Sequence, residues 1–511
     1  MLNFNFKKIM KMKSYKIILS LFAICIAISC SDEFVEENAP FQVNSDSFFL
    51  SETDYNNALI GAYDLLQATY VNVILGEIAS DNTHAGGESA TDVVGWQQVD
   101  RMQHTPVNDN LDDVWDFNFA GVYRASYIIE NEANDVEFDG KAQIIAEARF
   151  LRAYFNFELV KWFGPIPIKP DGRFELGDEL SLPRSPVEEV YTLIEDDLLK
   201  AIPDLAVQAP EVGRAPKAAA QALLGKVYLY QDKFAESAQQ LQAVIDSGQY
   251  HLYGTRDGED FLNLFEFFVE NGPESVFEVQ YSGAQGAGFG CLQCSEGNVA
   301  VGFSGVRGYN GPVYVSGFGF NLPTQETVDA FSDDDLRKEL SILDIEAWKA
   351  EFEAQGQPVT YTIGNQDPVT GHTGFYNRKY IPRENEREPD GNLTHPNNYR
   401  AMRYADVLLM GAEALNRGGI NDELARDYLN QVRERAGLDP VTSSGAQLLN
   451  DIYLDRRLEL MGEGHRFFDL VRTGRAADVI DGFTPNKNEV FPVPFEEIQF
   501  SQGNWEQNPN Y

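Results

Sequence analysis

Cysteine is scarce in this chain of 511 residues, which holds four. Cys25 and Cys30 lie in or next to an apolar N-terminal stretch, so only Cys291 and Cys294 belong to the remaining sequence. Proteins that rely on disulfides in place of a hydrophobic core carry cysteine at much higher density. The sequence therefore excludes a disulfide-framework protein. Its 43% hydrophobic and 12% aromatic content predicts a large buried core instead.

Basic residues are also few, with 40 Lys and Arg against 79 Asp and Glu, a formal net charge of −39. Such a surface repels phosphate backbones and anionic lipid headgroups, so we expect a neutral ligand and no nucleic-acid partner. The chain has no G-x-S-x-G, H-E-x-x-H or Walker sequence. We expect no enzymatic activity, no cofactor and no metal.

Long apolar runs are missing too. The apolar run of residues 17–28 has 12 residues, whereas a membrane-spanning helix needs about 20. Lysines precede this run, no acid occurs before residue 30, and small residues follow it, which is the pattern of a secretory signal peptide. The sequence therefore predicts a leader over residues 1–29 and no transmembrane helix.

Cys30 follows the apolar run directly, and its position predicts a lipid anchor. Residues 27–30 (AISC) resemble the lipobox of bacterial lipoproteins, whose cysteine is acylated; an ordinary signal peptide with a chance cysteine is the alternative. Each buried CH₂ of an acyl chain contributes about 0.8 kcal/mol to membrane binding. Asp32 and Glu33 resemble the export signal that sends Bacteroidetes lipoproteins to the exterior face of the outer membrane. We expect the polar, acidic residues 30–50 to form a flexible tether.

From residue 51 to about 270, apolar residues recur at helical spacing, punctuated by Pro and Gly. Leu224, Gly225 and Tyr228 match the first helix of a tetratricopeptide repeat, in which a small residue lets two helices approach. Phe234 and Ala238 would lie in the second helix, although Ala238 is one residue off the consensus. The repeat period is not sustained. The sequence thus predicts a mainly α fold built on degenerate tetratricopeptide-like helical pairs, an α-α superhelix.

The character of the chain changes between about residues 271 and 395. ESVFEVQY (274–281) alternates like a strand, and the following segments are rich in glycine and aromatic residues. Helical spacing returns after residue 397. Since long loops in compact proteins are usually functional, we predict a loop-rich, partly β ligand-binding insertion over 271–395. The whole of 51–511 is expected to form one domain.

Several blocks resemble the SusD/RagB family of outer-membrane nutrient-binding lipoproteins. They are RYADVLLMGAEALN (403–416), DRRLELMGEGHRFFDLVRTG (455–474), the closing FPVPFEEI with NWEQNPNY, and AEARFLRAYFNFELVKWFGPIPI (146–168). The resemblance implies an N-terminal SusD-like part over about 51–270 and a RagB/SusD part over 271–511. It also implies a non-catalytic lid that captures glycan, or peptide in RagB-like members, for a TonB-dependent SusC-like transporter.

Sugars are bound by aromatic faces that are framed by amides, carboxylates and hydroxyls. Trp96 lies in a polar, Gly-rich stretch where a core tryptophan is less expected, and simple loop packing is the alternative. Asp81, Asn82 and His84 are near it in sequence and can supply hydrogen bonds. On this interpretation, Trp96→Ala weakens polysaccharide binding and leaves the melting temperature nearly unchanged.

A second aromatic cluster lies in the insertion among glycines that let a flat ligand approach the backbone. Any one member is more often a packing residue, but we expect at least one to contact ligand. Arg378 and Tyr399 flank the second half of the region and are weaker candidates. The cluster consists of Tyr309, Tyr314, Phe318 and Phe320.

Cys291 and Cys294 form a C-x-x-C pair with several interpretations. Zinc needs two further ligands, and His251 and His372 do not stand at a suitable spacing. A redox site favours a helix N-terminus, whereas the surroundings here are Gly-rich. We favour a local disulfide that braces a binding loop, because the chain is expected to cross an oxidising periplasm. Free thiols remain the alternative.

The charged residues of 455–472 are interpreted as scaffold. Arg456 and Glu459, Glu463 and Arg466, and Asp469 and Arg472 are spaced i,i+3, which suits compensated pairs on a helix surface.

Two rival functions remain open at this stage. A surface glycoside hydrolase needs a carboxylate pair, which 79 acids do not allow us to locate. A tetratricopeptide-type adaptor would bind protein only and gain no thermal stability from glycans or oligopeptides.

Overall fold

A computed structural model describes residues 48–169, 181–284, 288–386 and 393–511. The leader of residues 1–29, Cys30 and most of the tether lie outside the described residues, so the predictions made for them remain predictions. Residues Ser51–Tyr511 form one compact unit.

Helices dominate the N-terminal part, and neighbours in sequence pack against each other. Polar side chains start several of them; Asn108 Oδ1, for example, accepts from the N–H groups of Asn110 and Leu111. The described elements are α1 (Glu52–Tyr63), a 3₁₀ segment (Asp64–Tyr70), α2 (Val71–Ile78), β1 (Thr83–Gly86), α3 (Val94–Asp100), α4 (Asp109–Glu130), α5 (Lys141–Phe163), α6 (Val187–Asp204), α7 (Lys217–Tyr230) and α8 (Phe234–Asp246).

The run from Glu52 to Ile78 is the one described helical stretch long and apolar enough to cross a membrane by length and composition. An 18-residue apolar part of this run is 61% buried inside the protein, and Leu59, Val73 and Leu75 are fully buried. This burial is typical of a core helix.

The α7–α8 pair has the close approach expected of a tetratricopeptide-like unit. A Cβ added to Gly225 would lie 2.6 Å from Leu241 Cγ, so only glycine fits there. Ser237 Oγ donates to the Gly225 carbonyl at 2.7 Å and ties the helices together. Together with the helical pairs before and after it, this unit confirms the predicted mainly α, tetratricopeptide-like fold.

The insertion and the C-terminal part contain more regular structure than the glycine content suggested. Short helices, capped by Thr324, Asp335 and Asp344, interrupt the loops of the insertion. The described elements are β2 (Ser275–Val279), α9 (Val299–Ser304), β3 (Phe320–Pro323), α10 (Gln325–Ala330), α11 (Leu336–Ser341), β4 (Ile342–Asp344), α12 (Ile345–Ala354), β5 (Phe375–Asn377), β6 (Tyr399–Arg403), α13 (Tyr404–Arg417), α14 (Asp422–Arg435), α15 (Gly445–Glu459), α16 (Arg466–Arg472), α17 (Ala476–Val479) and α18 (Phe495–Phe500).

Within the described ranges, the strands pair as three antiparallel two-stranded ladders, β1 with β3, β2 with β6, and β4 with β5. The strand predicted from ESVFEVQY exists as β2, but both of its faces are buried. Phe277 packs against Phe150 and Tyr154 of α5, while Glu278 on the other face accepts from Asn398 Nδ2 at 3.0 Å.

Most of the charged residues of 455–472 are buried, and only one of the three expected i,i+3 pairs forms. Asp469 pairs with Arg472 at 2.8 Å, but Arg456 pairs with Asp406 and Asp469. Glu459 and Glu463 instead face cations brought from other elements. Glu459 meets Arg403 and Arg435, and Glu463 meets Arg403 and Lys379. Arg466, expected to pair with Glu463, pairs with Asp81.

These buried charges are compensated, which fits a structural role. The cations around Glu459 hold its pKa at about 2 although burial alone raises it. Burial lowers the pKa of His465 to about 3, with Lys226 adding to the effect, so this imidazole is neutral at ordinary pH. Removing one member of such a network leaves an uncompensated charge and costs about 3–5 kcal/mol.

Candidate functional site

Trp96 lies on α3 at the base of a column of aromatic rings. Its side chain is 2% exposed and meets the edges of Phe303 and Phe320 at centroid distances of 5.0 and 4.9 Å. The structure therefore corrects the prediction that Trp96 offers its face to a sugar. Phe303 and Phe320, more than 200 positions away in sequence, pack against this ring. Phe320 is itself buried, so the prediction that it contacts ligand is corrected as well.

The outer end of this column reaches solvent. Phe318 lies tilted on Phe303 at 5.1 Å and is half-buried, and Phe289 meets Phe318 at 5.7 Å with 65% of its surface exposed. We call Phe289 and Phe318 the aromatic shelf. Of the predicted cluster in the insertion, Phe318 is the member that the structure leaves accessible in this position, and its contact with ligand remains a prediction.

A polar border lies beside the shelf. Arg307 Nε donates to the Phe318 carbonyl at 3.1 Å, and its guanidinium faces Asp92 at 3.3 Å and Glu88 at 3.5 Å. The Glu88 side chain is 74% exposed. The border thus presents a donor flanked by two acceptors next to two aromatic rings, which is the combination that sugar hydroxyls and C–H faces require.

The loop that carries the two acids is held in a fixed conformation. Asp92 accepts the Glu88 N–H at 2.7 Å, and the Gly87 carbonyl accepts from the Asn365 N–H at 2.9 Å. Val93 has a φ of 45°, a region that β-branched residues rarely adopt and that costs about 1–3 kcal/mol. Surrounding contacts offset this strain, as they do at many binding sites.

Phe289 and Arg307 are not among the ligand-binding residues predicted from the sequence. Phe289 stands in the GAGFG stretch beside the C-x-x-C pair, and its position between glycines is the sequence signal that could have identified it. No sequence signal identifies Arg307, because its role depends on acids that are 215 and 219 residues away in the sequence.

Cys291 and Cys294 are joined by a disulfide next to Phe289. Gln293, between them, accepts a hydrogen bond through its carbonyl from Gln67 Nε2 at 3.0 Å, which ties this loop to the helical body. The proposed purpose of the disulfide, bracing a binding loop, remains a prediction.

Tyr309 and Tyr314 are buried and pack into a separate core, with 6% and 2% exposure. Tyr314 lies 5.0 Å from Trp348, whose Nε1 donates to Tyr309 Oη at 2.9 Å. The prediction that these tyrosines face ligand is therefore corrected. Arg378 Nε donates to Tyr314 Oη at 3.1 Å and supports the same core.

Asn82 and Tyr399 are also buried, at 0% and 5% exposure, and cannot frame a ligand on the surface. Asn82 Nδ2 donates to Glu77, and its Oδ1 accepts from Arg457 Nε at 2.9 Å. Tyr399 belongs to the buried β6 strand. Both predictions are corrected, because scaffold contacts use the Asn82 amide and the Tyr399 side chain is buried.

Asp81 and His84 lie apart from the aromatic shelf and line a different cavity, of about 640 Å³. Asp81 is held by Arg466 at 2.7 Å and Arg457 at 3.1 Å, and these cations lower its pKa against the opposing effect of burial. His84 remains 31% exposed and faces Asp100 at 3.6 Å. Asp81 and His84 thus border open space, and their contact with a ligand remains a prediction.

Comparison with known proteins gives consistent results along the chain. The SusD family profile matches residues 273–511, and a profile described as starch-binding associating with outer membrane matches residues 33–229. A SusD-like protein of Formosa agariphila is 27% identical over 537 aligned residues, covering 95% of this chain and 98% of its own length.

Solved structures agree in fold over nearly the whole length. A laminarin-binding SusD-like protein is 34% identical with a TM-score of 0.80, covering 91% of this chain and 100% of its own. Surface glycan-binding protein A from Bacteroides thetaiotaomicron, in complex with laminarihexaose, is 25% identical with a TM-score of 0.77, covering 90% and 100%. With its helical pairs, its insertion and its matches at both ends, the chain belongs to the SusD family.

Proposed function

We propose that this protein is a non-catalytic surface lipoprotein that captures a neutral polysaccharide on its aromatic shelf. The observation that carries the proposal is the accessible pair Phe289 and Phe318, backed by buried rings and bordered by Arg307. Aromatic faces take up the C–H surfaces of sugar rings, while the border exchanges hydrogen bonds with hydroxyls.

Two further observations favour a neutral glucan as the ligand. The chain carries a formal charge of −39, which repels polyanionic glycans. Laminarin and laminarihexaose are named as ligands of two structural neighbours, at 34% and 25% identity. Laminarin is therefore the ligand that we propose to test first.

The proposed setting is the exterior face of the outer membrane, with the protein anchored through acylated Cys30 and serving a TonB-dependent SusC-like transporter. The match to a family described as associating with the outer membrane supports this setting. A tether such as residues 30–50 keeps the binding body near a pore without fixing its orientation.

The shelf is tested by Phe318→Ala and Phe289→Ala in affinity gels containing laminarin and in calorimetric titration. We expect each substitution to weaken binding at least about tenfold, or ~1.4 kcal/mol, because ring contact is lost. Phe500→Ala on α18 is the matched control, since Phe500 is 67% exposed and Phe289 is 65% exposed. Equal binding by all three variants and the wild type would remove the shelf from the site. Release of reducing ends from laminarin by the purified protein would contradict the non-catalytic role.

A further inference from the structure

The cavity that Asp81 and His84 line is separate from the aromatic shelf. It has a volume of about 640 Å³, within the ~300–1,000 Å³ typical of small-molecule sites. Segments 80–84, 100–103, 324–326, 367–369 and 479–482 meet around it, and none of the shelf or border residues lines it.

Two donor–acceptor pairs are held on its wall. Arg101 meets Asp367 Oδ2 at 3.0 Å, while Asp367 Oδ1 accepts from the backbone N–H groups of Val369 and Thr370. His84 Nδ1 lies 3.6 Å from Asp100 Oδ1. The other Asp100 oxygen accepts from the Ala85 N–H at 2.7 Å. Backbone donors therefore fix the acceptor of each pair.

Such pairs suit vicinal hydroxyls, because each hydroxyl both donates and accepts hydrogen bonds. The oxygens of two neighbouring hydroxyls on a sugar ring are also separated by a distance similar to that between the donor and the acceptor of each pair. Val369, Val479 and Ile480 add aliphatic surface to the same cavity for the C–H groups of a ring. No group of three or more His, Cys, Asp or Glu in the described ranges is arranged to hold a metal ion. The lining therefore favours a polyhydroxylated ligand over a cation.

The cavity and the shelf share a structural element. The turn 365–370 carries Asp367, which lines the cavity. The same turn contacts Gly86 and Gly87, which directly precede Glu88 of the polar border. Its Thr370 carbonyl accepts from the Gly86 N–H at 2.8 Å, and its Asn365 N–H donates to the Gly87 carbonyl at 2.9 Å. This hydrogen-bonded turn thus connects segments that belong to the two sites.

We propose that this cavity is a second saccharide site, which binds hydroxyl-rich rings of the same neutral glycan through the Arg101–Asp367 and His84–Asp100 pairs. The inference rests on the proposed glycan-binding function and adds a site to it. Two sites on one frame retain a polymer more strongly than either alone, because the second contact is intramolecular.

Hydrogen exchange measured by mass spectrometry, with and without laminarihexaose, distinguishes the two sites. In the wild type we expect protection of peptides covering 80–84, 367–370 and 479–482 as well as those covering 88–92 and 288–318. Phe318→Ala should lose protection at the shelf and keep it at the cavity. Val479→Trp, which fills the cavity mouth, should do the reverse. Val207→Trp is the control, since Val207 is 52% exposed, Val479 is 42% exposed, and Val207 does not line the cavity.

Protection confined to the shelf peptides would overturn the cavity site and leave the proposed function standing. Persistence of cavity protection in a folded Val479→Trp variant would also overturn it. Absence of protection at both places in a folded wild-type protein would overturn the cavity site and the proposed glucan binding together.

Discussion

At the scale of single residues, Trp96 and Phe318 occupy two ends of one aromatic column but have different roles. Trp96 is 2% exposed and makes T-shaped contacts with Phe303 and Phe320, so it supports the column. Phe318 lies further out and is half-buried. Their difference lies in what covers each ring, since both are large aromatics in Gly-rich sequence.

Trp96→Ala should therefore act on stability. Large-to-small substitution of a fully buried aromatic costs about 3–5 kcal/mol, and we expect the free energy of unfolding to fall by that amount in urea titration. Phe289→Ala, at an exposed ring, should change it by less than about 0.5 kcal/mol. An unchanged melting temperature for Trp96→Ala together with lost laminarin binding would instead restore Trp96 as a contact residue.

At the scale of elements, helix pairing depends on a few close approaches that sequence spacing already marks. The α7–α8 crossing places Gly225 against Leu241, as the tetratricopeptide-like spacing predicted. The i,i+3 charge pattern of 455–472 was less informative. Buried helices meet partners on several sides, and Arg456 reaches Asp406 on α13.

Gly225→Ala should lower the free energy of unfolding by about 1–3 kcal/mol, because the new Cβ lies 2.6 Å from Leu241 Cγ and overpacks the crossing. Gly61→Ala on α1 is the matched control. No atom lies within 4 Å of its added Cβ, so the substitution should stabilise the helix by about 0.5–1 kcal/mol. Chemical denaturation of both variants tests the prediction, and equal effects of the same sign would contradict the close packing.

The acidic side chains of α4 and α18 predict a dependence of stability on pH. Burial first, and then neighbouring acids, raise the pKa of Asp112 to about 6 and that of Glu497 to about 7. Because these folded-state values exceed those of the unfolded chain, the groups favour the fold when protonated. This contribution is lost as pH rises through about 6 to 7.

We therefore expect the free energy of unfolding to be greater at pH 5.5 than at pH 7.5, and Asp112→Asn to reduce that difference. Removing one like charge should also stabilise the protein at pH 7.5. Glu423→Gln on α14 serves as an exposed control for the change in net charge. If Asp112→Asn and Glu423→Gln alter the pH profile equally, overall charge and not this cluster accounts for it.

At the scale of the whole molecule, the proposed anchor and tether would keep the binding body at the membrane. Several acyl chains at Cys30 would hold the protein on the membrane nearly permanently, since each buried CH₂ adds about 0.8 kcal/mol. The helical body supplies a rigid frame, and the accessible rings lie on loops that this frame positions.

Cys30→Ala should leave the protein unlipidated and move it from the membrane fraction to the soluble fraction. Mass spectrometry of the N-terminal peptide and membrane fractionation measure both outcomes. Cys25→Ala is the matched control and should leave the anchor intact. A lipid-modified Cys30→Ala protein would contradict the assignment of the anchor.

The sequence by itself determined the helical class, because apolar spacing and glycine or proline breaks act over a few residues. The tertiary structure alone decided which aromatic rings reach solvent. Trp96 is covered by residues more than 200 positions away, Tyr314 is covered by Trp348, and Arg307 meets two acids that are also more than 200 positions away. Exposure and charge pairing arise from packing between distant segments, and local spacing carries no record of those contacts.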